Sequence, residues 1–249
     1  MEEHRVLIVA GDEPEKRVQE FSLGKAVPPY IKYYYKDAVT LRQKKIEIYE
    51  EMLKDPGKVG VPKEYVEDEL KWLKESSDED FYFDLTAEYE YDDDGNAIST
   101  ANPEGKFNFC KIGGSYASPF LVNGKEAYSA VKNDIDWTQI HRNPEFVNLY
   151  ERTWEMCVEG LEPVSDVDKQ VYENMRYRKD YFANFKDKEE YVASCSSFWA
   201  HSFLTPFDVW VDADDYPGTQ FEWMSSYYDM FIAPLPGNTR LTIFEYIVK

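Results

Sequence analysis

The segment FYFDLTAEYEY, from Phe81 to Tyr91, alternates strictly between two classes of side chain. Apolar side chains occupy every odd position, and the even positions are mostly acidic or hydroxylated. Because successive side chains of a strand point to opposite faces, this period of two predicts a half-buried β-strand. Neighbouring segments repeat with a helical period instead, so the chain must combine strands with helices.

Two helices are predicted before this strand. Apolar positions between Asp37 and Asp55 suit a helix that stops at Pro56-Gly57, and Pro62 opens a second helix. The two should form a helical hairpin. Further along, Asn143-Pro144 and Ser165-x-x-Asp168 are typical helix N-termini.

Other strands are predicted from β-branched and aromatic runs. They are RVLIVA at 5–10, a segment within 191–199, FDVWVD at 207–212 and Leu241 to Val248. The turn residues Asp92 to Asn96 should join the 81–91 strand to a returning strand at 105–120. We find no linker, so the sequence predicts one α+β domain over 1–249: an antiparallel sheet with helices packed on one face, including an acidic helical hairpin and strand segment at 37–94.

The net charge limits the classes of partner that the chain can bind. The chain has 28 Lys and Arg against 48 Asp and Glu, which gives a net charge of −20. Free nucleic acid and anionic membranes should repel it, so a partner recognised by charge is basic. No apolar run is long enough to span a bilayer, and Met1-Glu2-Glu3-His4 does not resemble a secretory signal. We therefore expect a cytoplasmic location in a host cell.

The negative charge is concentrated in one segment. Between Glu47 and Asp94 there are 18 acidic and five basic residues. Carboxylates two residues apart on a strand lie about 6.5–7 Å apart, close to the phosphate spacing of a nucleic-acid strand. The segment could therefore imitate a row of phosphates, or it could simply be a solvated surface that favours solubility. The candidate partner-binding residues are Asp78, Glu79, Asp80, Asp84, Glu88, Glu90, Asp92, Asp93 and Asp94.

Catalytic and cofactor signals are weak. His4, His141 and His201 are not spaced as metal ligands on one helix, and the cysteines Cys110, Cys157 and Cys195 suggest buried apolar residues better than a zinc site or a disulfide framework. A Cys195–His201 nucleophile and base pair is a less favoured reading. Phosphate-binding glycine motifs are absent from the sequence. We expect no catalytic residues, cofactor or metal.

Closely spaced carboxylates are the best metal candidate. Asp212, Asp214 and Asp215 could share a hard cation such as Mg²⁺ or Ca²⁺, which would suit a metal-dependent hydrolase. A solvated acidic turn after the FDVWVD strand explains the same pattern, and we favour it.

The stretch GKFNFCKIGGSYASPF, at 105–120, places two glycines at the end of an aromatic strand. A glycine pair permits a bulge, a corner of the sheet or the close approach of a ligand. A corner is the favoured reading. The candidate ligand-binding residues are Phe107, Phe109, Gly113, Gly114, Ser115 and Tyr116.

At this stretch, NPEGKFNFCKIGGSY resembles a diverged Lys-Trp-Asp-Trp-Tyr-x-x-Gly-Gly-Arg-Trp motif of an uncharacterised family encoded by bacteriophages and mobile elements. The acidic EYEYDDDGN and the closing RLTIFEYIV are similar to flanking segments of that family. Ser115 stands where the family has arginine, and phenylalanines replace its tryptophans. The resemblance implies a phage or mobile-element origin and no particular activity.

Charge and this context together lead to an expected function. We expect a phage-encoded, non-catalytic inhibitor that binds a basic surface of a host nucleic-acid-binding or defence protein through its acidic, nucleic-acid-like face. One alternative is a protein that binds a small molecule, such as a nucleotide signal, at the Gly113-Gly114 corner. The second alternative is the metal-dependent hydrolase.

Overall fold

A computed structural model describes residues 3–54 and 62–248 and confirms the α+β class. The strands are β1 (Glu3–Ala10), β2 (Tyr30–Tyr33), β3 (Glu90–Tyr91), β4 (Ala97–Ser99), β5 (Phe109–Ile112), β6 (Phe120–Val122), β7 (Lys125–Ala127), β8 (Ser129–Val131), β9 (Ser202–Leu204), β10 (Trp210–Asp212) and β11 (Arg240–Val248). The helices are α1 (Pro14–Gln19), α2 (Ala38–Lys54), α3 (Lys63–Glu75), α4 (Asp78–Leu85), α5 (Trp137–Ile140), α6 (Pro144–Cys157), α7 (Asp166–Met175), α8 (Lys179–Phe182), α9 (Lys188–Ser196) and α10 (Gln220–Tyr227).

Internal contacts divide the chain into two compact units, where the sequence predicts one domain. Unit 1 comprises Met1–Lys25 and Pro103–Lys249, and unit 2 comprises Ala26–Asn102. The acidic segment belongs to unit 2, and the Gly113-Gly114 stretch belongs to unit 1.

Unit 1 is built on a mixed sheet in the order β10-β9-β1-β11-β5, with β8 also paired to β11. β1 and β11 pair antiparallel over their whole described length, from Glu3 opposite Val248 to Ala10 opposite Leu241. β9 runs parallel to β1. The predicted strands at 5–10 and 241–248 are thus confirmed, and they are the central pair because their runs are apolar on both faces.

The two faces of this sheet bury different side chains. Ile8 and Ile243 lie on the face covered by α10, whose Trp223 and Tyr227 are fully enclosed. Leu7, Val9 and Phe244 lie on the other face with Val18 of α1 and with Phe107. Helices α5 and α10 therefore pack on the first face, and α1 packs on the second.

Helices α6 to α9 share a separate aromatic core around Trp154, Phe182 and Tyr191. The strand predicted within 191–199 is wrong, because α9 occupies Lys188–Ser196. The Asp187 carboxylate accepts a hydrogen bond from the Glu190 N–H and so caps this helix. The Asn143 cap and the Ser165–Asp168 capping box are confirmed.

In unit 2, the predicted helical hairpin is confirmed by α2 and α3. Arg42 of α2 donates hydrogen bonds to the carbonyls of Leu73 and Ser76, at 3.0 and 2.7 Å. Lys74 of α3 forms an ion pair with Glu50 of α2 at 2.6 Å. The predicted helix end at Pro56-Gly57 lies outside the described residues.

The strand predicted over 81–91 is wrong. Ser77 and Asp80 form a capping box that begins α4, and only Glu90–Tyr91 of the segment is extended. Local capping of the backbone therefore outweighs the period-two pattern. The turn at Asp92 is confirmed, but it joins β3 to β4, whereas the returning strand β5 pairs with β11.

Candidate functional site

Gly113 and Gly114 lie where β5 leaves the sheet. Gly113 has a φ of +68° and forms a bridge with Phe244, receiving the Glu245 N–H at its carbonyl. Gly114 has a φ of +130°, and a Cβ at this position would overlap the Glu245 carboxylate. The glycine pair is therefore a corner that also leaves room for a buried acid, which is the close approach that glycine permits.

That acid, Glu245, is held by a histidine. Its side chain is 3% exposed, and its Oε1 lies 2.6 Å from His4 Nδ1. Burial alone would raise the pKa of the Glu245 carboxyl, but the His4 hydrogen bond, the Tyr116 backbone N–H and the Lys111 ammonium together lower it. The carboxylate is thus ionised and can only accept, so His4 Nδ1 carries the proton and its Nε2 is left for another partner.

The predicted ligand-binding residues are not all brought together. Phe107 is buried in the core, and Phe109 and Ser115 are exposed. Tyr116 stacks on the His4 ring, with centroids 4.5 Å apart. Sequence reasoning missed His4 and Glu245, because they are 241 positions apart and meet only through the β1–β11 pairing.

A cavity of about 540 Å³ opens beside His4 on the α10 side of the sheet. Its aromatic lining comprises Tyr116, Phe146, Phe198 and Trp199. Its basic lining residues are His4, Arg5 and His201, and no carboxylate lines the described cavity. Most of these residues come from chain segments that the sequence analysis did not connect.

The 197–201 wall of this cavity is fixed by hydrogen bonds. The Phe198 N–H donates to His141 Nδ1 at 3.2 Å, and Trp223 Nε1 donates to the Ala200 carbonyl at 2.8 Å. The His141 ring also stacks on Tyr228, with centroids 3.9 Å apart. Because Nδ1 of His141 accepts a hydrogen bond from a backbone N–H, this nitrogen carries no proton.

Unit 1 is expected to lose stability as the pH falls from about 7.5 to about 5.5. Burial lowers the pKa of His141 and His201 below the ordinary 6.5, helped by Arg142 and Arg5 respectively. Below pH 6.5 the unfolded chain therefore binds protons that the native chain excludes, so the free energy of unfolding decreases. The full decrease is about 1.4 kcal/mol for each unit by which the native structure lowers a histidine pKa. Urea denaturation at both pH values tests this prediction. In the His141→Gln variant, the free energy of unfolding should depend less on pH. An unfolding free energy independent of pH in this range would contradict it.

The predicted partner-binding acids take two different roles in unit 2. Three of them stabilise local structure: Asp78 pairs with Arg42 at 2.7 Å, Asp80 belongs to the capping box, and Asp92 accepts the backbone N–H groups of Asp94 and Asn96. Hydrogen bonds from Asn96 lower the pKa of Asp92. The rest are exposed: Glu79, Asp84, Glu88, Glu90, Asp93 and Asp94.

The regular phosphate-like spacing is not present. Asp84 lies in α4, Glu88 lies in the turn that follows it, and only Glu90 is on a strand. Carboxylates on a helix and a turn do not follow the two-residue repeat of a strand. The acidic segment is therefore a cluster of surface charge, not a row.

Exposed aromatic rings accompany these acids. Phe83 contacts Tyr91 and Tyr35, with ring centroids 5.6 and 6.3 Å apart. The three side chains are 39–44% exposed although they pack on one another. Sequence reasoning assigned Phe83 and Tyr91 to a buried strand face, because it read this segment as extended.

Asp212, proposed as a metal ligand, is instead the centre of a hydrogen-bond network. Its Oδ2 accepts from Ser202 Oγ at 2.8 Å, Trp210 Nε1 at 3.2 Å and Tyr246 Oη at 3.4 Å. Asp214 forms an ion pair with Arg5 at 2.6 Å. Within residues 3–54 and 62–248, no group of three or more His, Cys, Asp or Glu is arranged to hold a metal ion.

Cys195 and His201 occupy different environments. Cys195 packs with the α6–α9 core, where burial raises the pKa of its thiol, whereas His201 lines the cavity. A buried, protonated thiol is a poor nucleophile, so these two residues do not form the pair considered above.

The described part of the chain contains no helix that is both long and apolar enough to cross a membrane. Comparison with protein-family models, curated proteins and solved structures gives no match to this chain. The resemblance to the phage and mobile-element family therefore stays a prediction.

Proposed function

We propose that this protein binds a basic surface of another protein through unit 2. The surface consists of exposed rings and carboxylates, and we call it the acidic aromatic surface: Tyr35, Phe83, Tyr91, Glu79, Asp84, Glu88, Glu90, Asp93 and Asp94. The observation that carries the proposal is the charge of residues 75–94, which include ten Asp and Glu and no Lys or Arg. The aromatic side chains of Tyr35, Phe83 and Tyr91 in the same unit are partly exposed to solvent.

Such a surface suits lysine and arginine side chains. Carboxylates accept charge-assisted hydrogen bonds from both cations, and the faces of Tyr and Phe attract the same groups. Tyrosine is also common among the residues that carry most of the energy of protein interfaces. Long-range attraction between opposite charges would speed the encounter.

The proposed role is inhibition of a host nucleic-acid-binding or defence protein. Basic surfaces that bind phosphates would be occupied by these carboxylates, so the inhibitor and the nucleic acid would compete. The phage or mobile-element origin implied by the family resemblance supports a host target. The proposal rests on clustered charge and exposed rings, and no regular phosphate spacing is part of it.

The test is capture of partners from a host lysate at low salt, followed by affinity measurement with the purified partner. The site variant is Asp84→Lys/Asp93→Lys/Asp94→Lys, because these exposed acids have no side-chain hydrogen bond or ion pair within the described residues. Asp92 is left intact since it organises the turn. We expect about tenfold weaker binding, from about 0.2–1 kcal/mol for each exposed charge pair.

The matched control is Glu159→Lys/Glu162→Lys/Asp180→Lys in unit 1, where all three acids are exposed. Each triple variant replaces three negative charges by three positive ones, so both move the net charge from −20 to −14. The control should change the affinity by less than about threefold. Equal weakening by both triples would show a non-specific charge effect and reject the acidic aromatic surface as the binding site.

A further inference from the structure

We propose that the cavity beside the His4–Glu245 pair binds an uncharged planar heteroaromatic molecule of nucleoside size. The cavity lies wholly in unit 1, and the acidic aromatic surface lies in unit 2. The two sites therefore share no residue, and a test of one leaves the other unaffected.

Size and lining fit such a ligand. A volume of about 540 Å³ falls in the range of small-molecule sites, which is about 300–1,000 Å³. Tyr116 is 64% exposed and Phe146 is 49% exposed although both line the cavity, so a flat ligand would cover open aromatic surface. Stacking of a base on an aromatic side chain contributes about 1–3 kcal/mol.

The His4–Glu245 pair supplies a directed hydrogen-bond acceptor. His4 Nδ1 donates to the Glu245 carboxylate, so Nε2 of the neutral imidazole is the acceptor left for a ligand in the cavity that His4 lines. An exocyclic amino group or a ring N–H of a heterocycle is the matching donor. Gly114 is essential to this arrangement because a side chain there would displace the Glu245 carboxylate.

The charges around the cavity favour a neutral ligand. Arg5 is the cavity's only permanently charged described lining residue, and its guanidinium is held by Glu3 at 3.0 Å and Asp214 at 2.6 Å. A phosphate would have to compete with these carboxylates and approach a chain with a net charge of −20. A nucleoside should therefore bind more tightly than its monophosphate.

The cavity wall is held in place by contacts within the protein. Hydrogen bonds to the backbone of Phe198 and Ala200 fix the 197–201 segment, and Phe198 packs edge-on against Trp137 with centroids 5.4 Å apart. A wall that such contacts hold in place lowers the conformational cost of binding.

The experiment is calorimetric titration of the full chain with adenosine, guanosine, cytidine and uridine, and with the four 5′-monophosphates. We expect at least one nucleoside to bind with a Kd below about 1 mM. His4→Ala and Trp199→Ala should each weaken this binding at least about tenfold. Tyr177→Ala is the control, since Tyr177 is 77% exposed and does not line the cavity.

His4→Gln is used if His4→Ala does not fold. The glutamine amide can donate a hydrogen bond to Glu245, but it has no ring nitrogen to accept one from the ligand. Absence of binding by all eight compounds at about 5 mM would overturn the proposal. Binding that neither variant weakens would also overturn it, because the ligand would then lie elsewhere. A monophosphate that binds more tightly than its nucleoside would overturn the uncharged class of ligand.

Discussion

Replacing Gly114 by alanine is expected to destabilise unit 1 by at least about 3 kcal/mol. The new Cβ would overlap the carboxylate of Glu245, which is 3% exposed and cannot retreat into solvent without leaving His4. Breaking a buried, charge-assisted pair costs about 3–5 kcal/mol, and a φ of +130° adds backbone strain for any residue with a side chain.

Gly124→Ala is the matched control for this prediction. Gly124 also has a positive φ, +72°, but a Cβ there meets no atom within 4 Å. Its replacement should cost only the strain of the left-handed conformation, about 1–2 kcal/mol. Urea denaturation followed by tryptophan fluorescence measures both variants, since five of the six tryptophans lie in unit 1. Equal losses in the two variants would show that Glu245 does not need the space at Gly114.

Replacing Asp212 by alanine is expected to cost about 3–5 kcal/mol. The Asp212 side chain accepts hydrogen bonds from Ser202, Trp210 and Tyr246 and from the Asp214 N–H. Its removal leaves buried donors without an acceptor and takes one carboxylate away from Arg5, which lies 3.6 Å from Asp212 Oδ1.

Asp215→Ala is the control for Asp212, because Asp215 is an exposed member of the same acidic turn. Its replacement should change the unfolding free energy by less than about 0.5 kcal/mol. Addition of Mg²⁺ or Ca²⁺ should leave the thermal midpoint of the native protein unchanged, since the carboxylates of Asp212 and Asp214 are already bonded to donors of the chain. Stabilisation by either cation that Asp212→Ala abolishes would instead support the metal-dependent hydrolase.

Several elements of the fold could be predicted from local sequence signals. The caps at Asn143 and Ser165 and the turn at Asp92 are confirmed because each depends on residues within four positions of one another. The segment from Phe81 to Tyr91 shows where such reasoning fails. Its alternating side chains favour a strand, but the capping box at Ser77 begins a helix immediately before it.

The candidate sites, too, could be predicted only as far as local sequence signals reach. The acidic segment was evident from composition, whereas the roles of its members were not, since Asp78 and Asp92 are bonded to Arg42 and Asn96. The glycine corner was predicted, but the reason for a glycine at 114 is the buried side chain of Glu245, which lies on β11, far along the chain.

Composition and neighbouring residues along the chain are enough to predict the α+β class, the caps at Asn143 and Ser165 and the position of the glycine corner, and they give the net charge directly. The strand partners, the His4–Glu245 pair and the cavity beside it became evident only in the folded chain. Register between β1 and β11 brings distant residues to one face of the sheet, and no local pattern specifies which strands will pair.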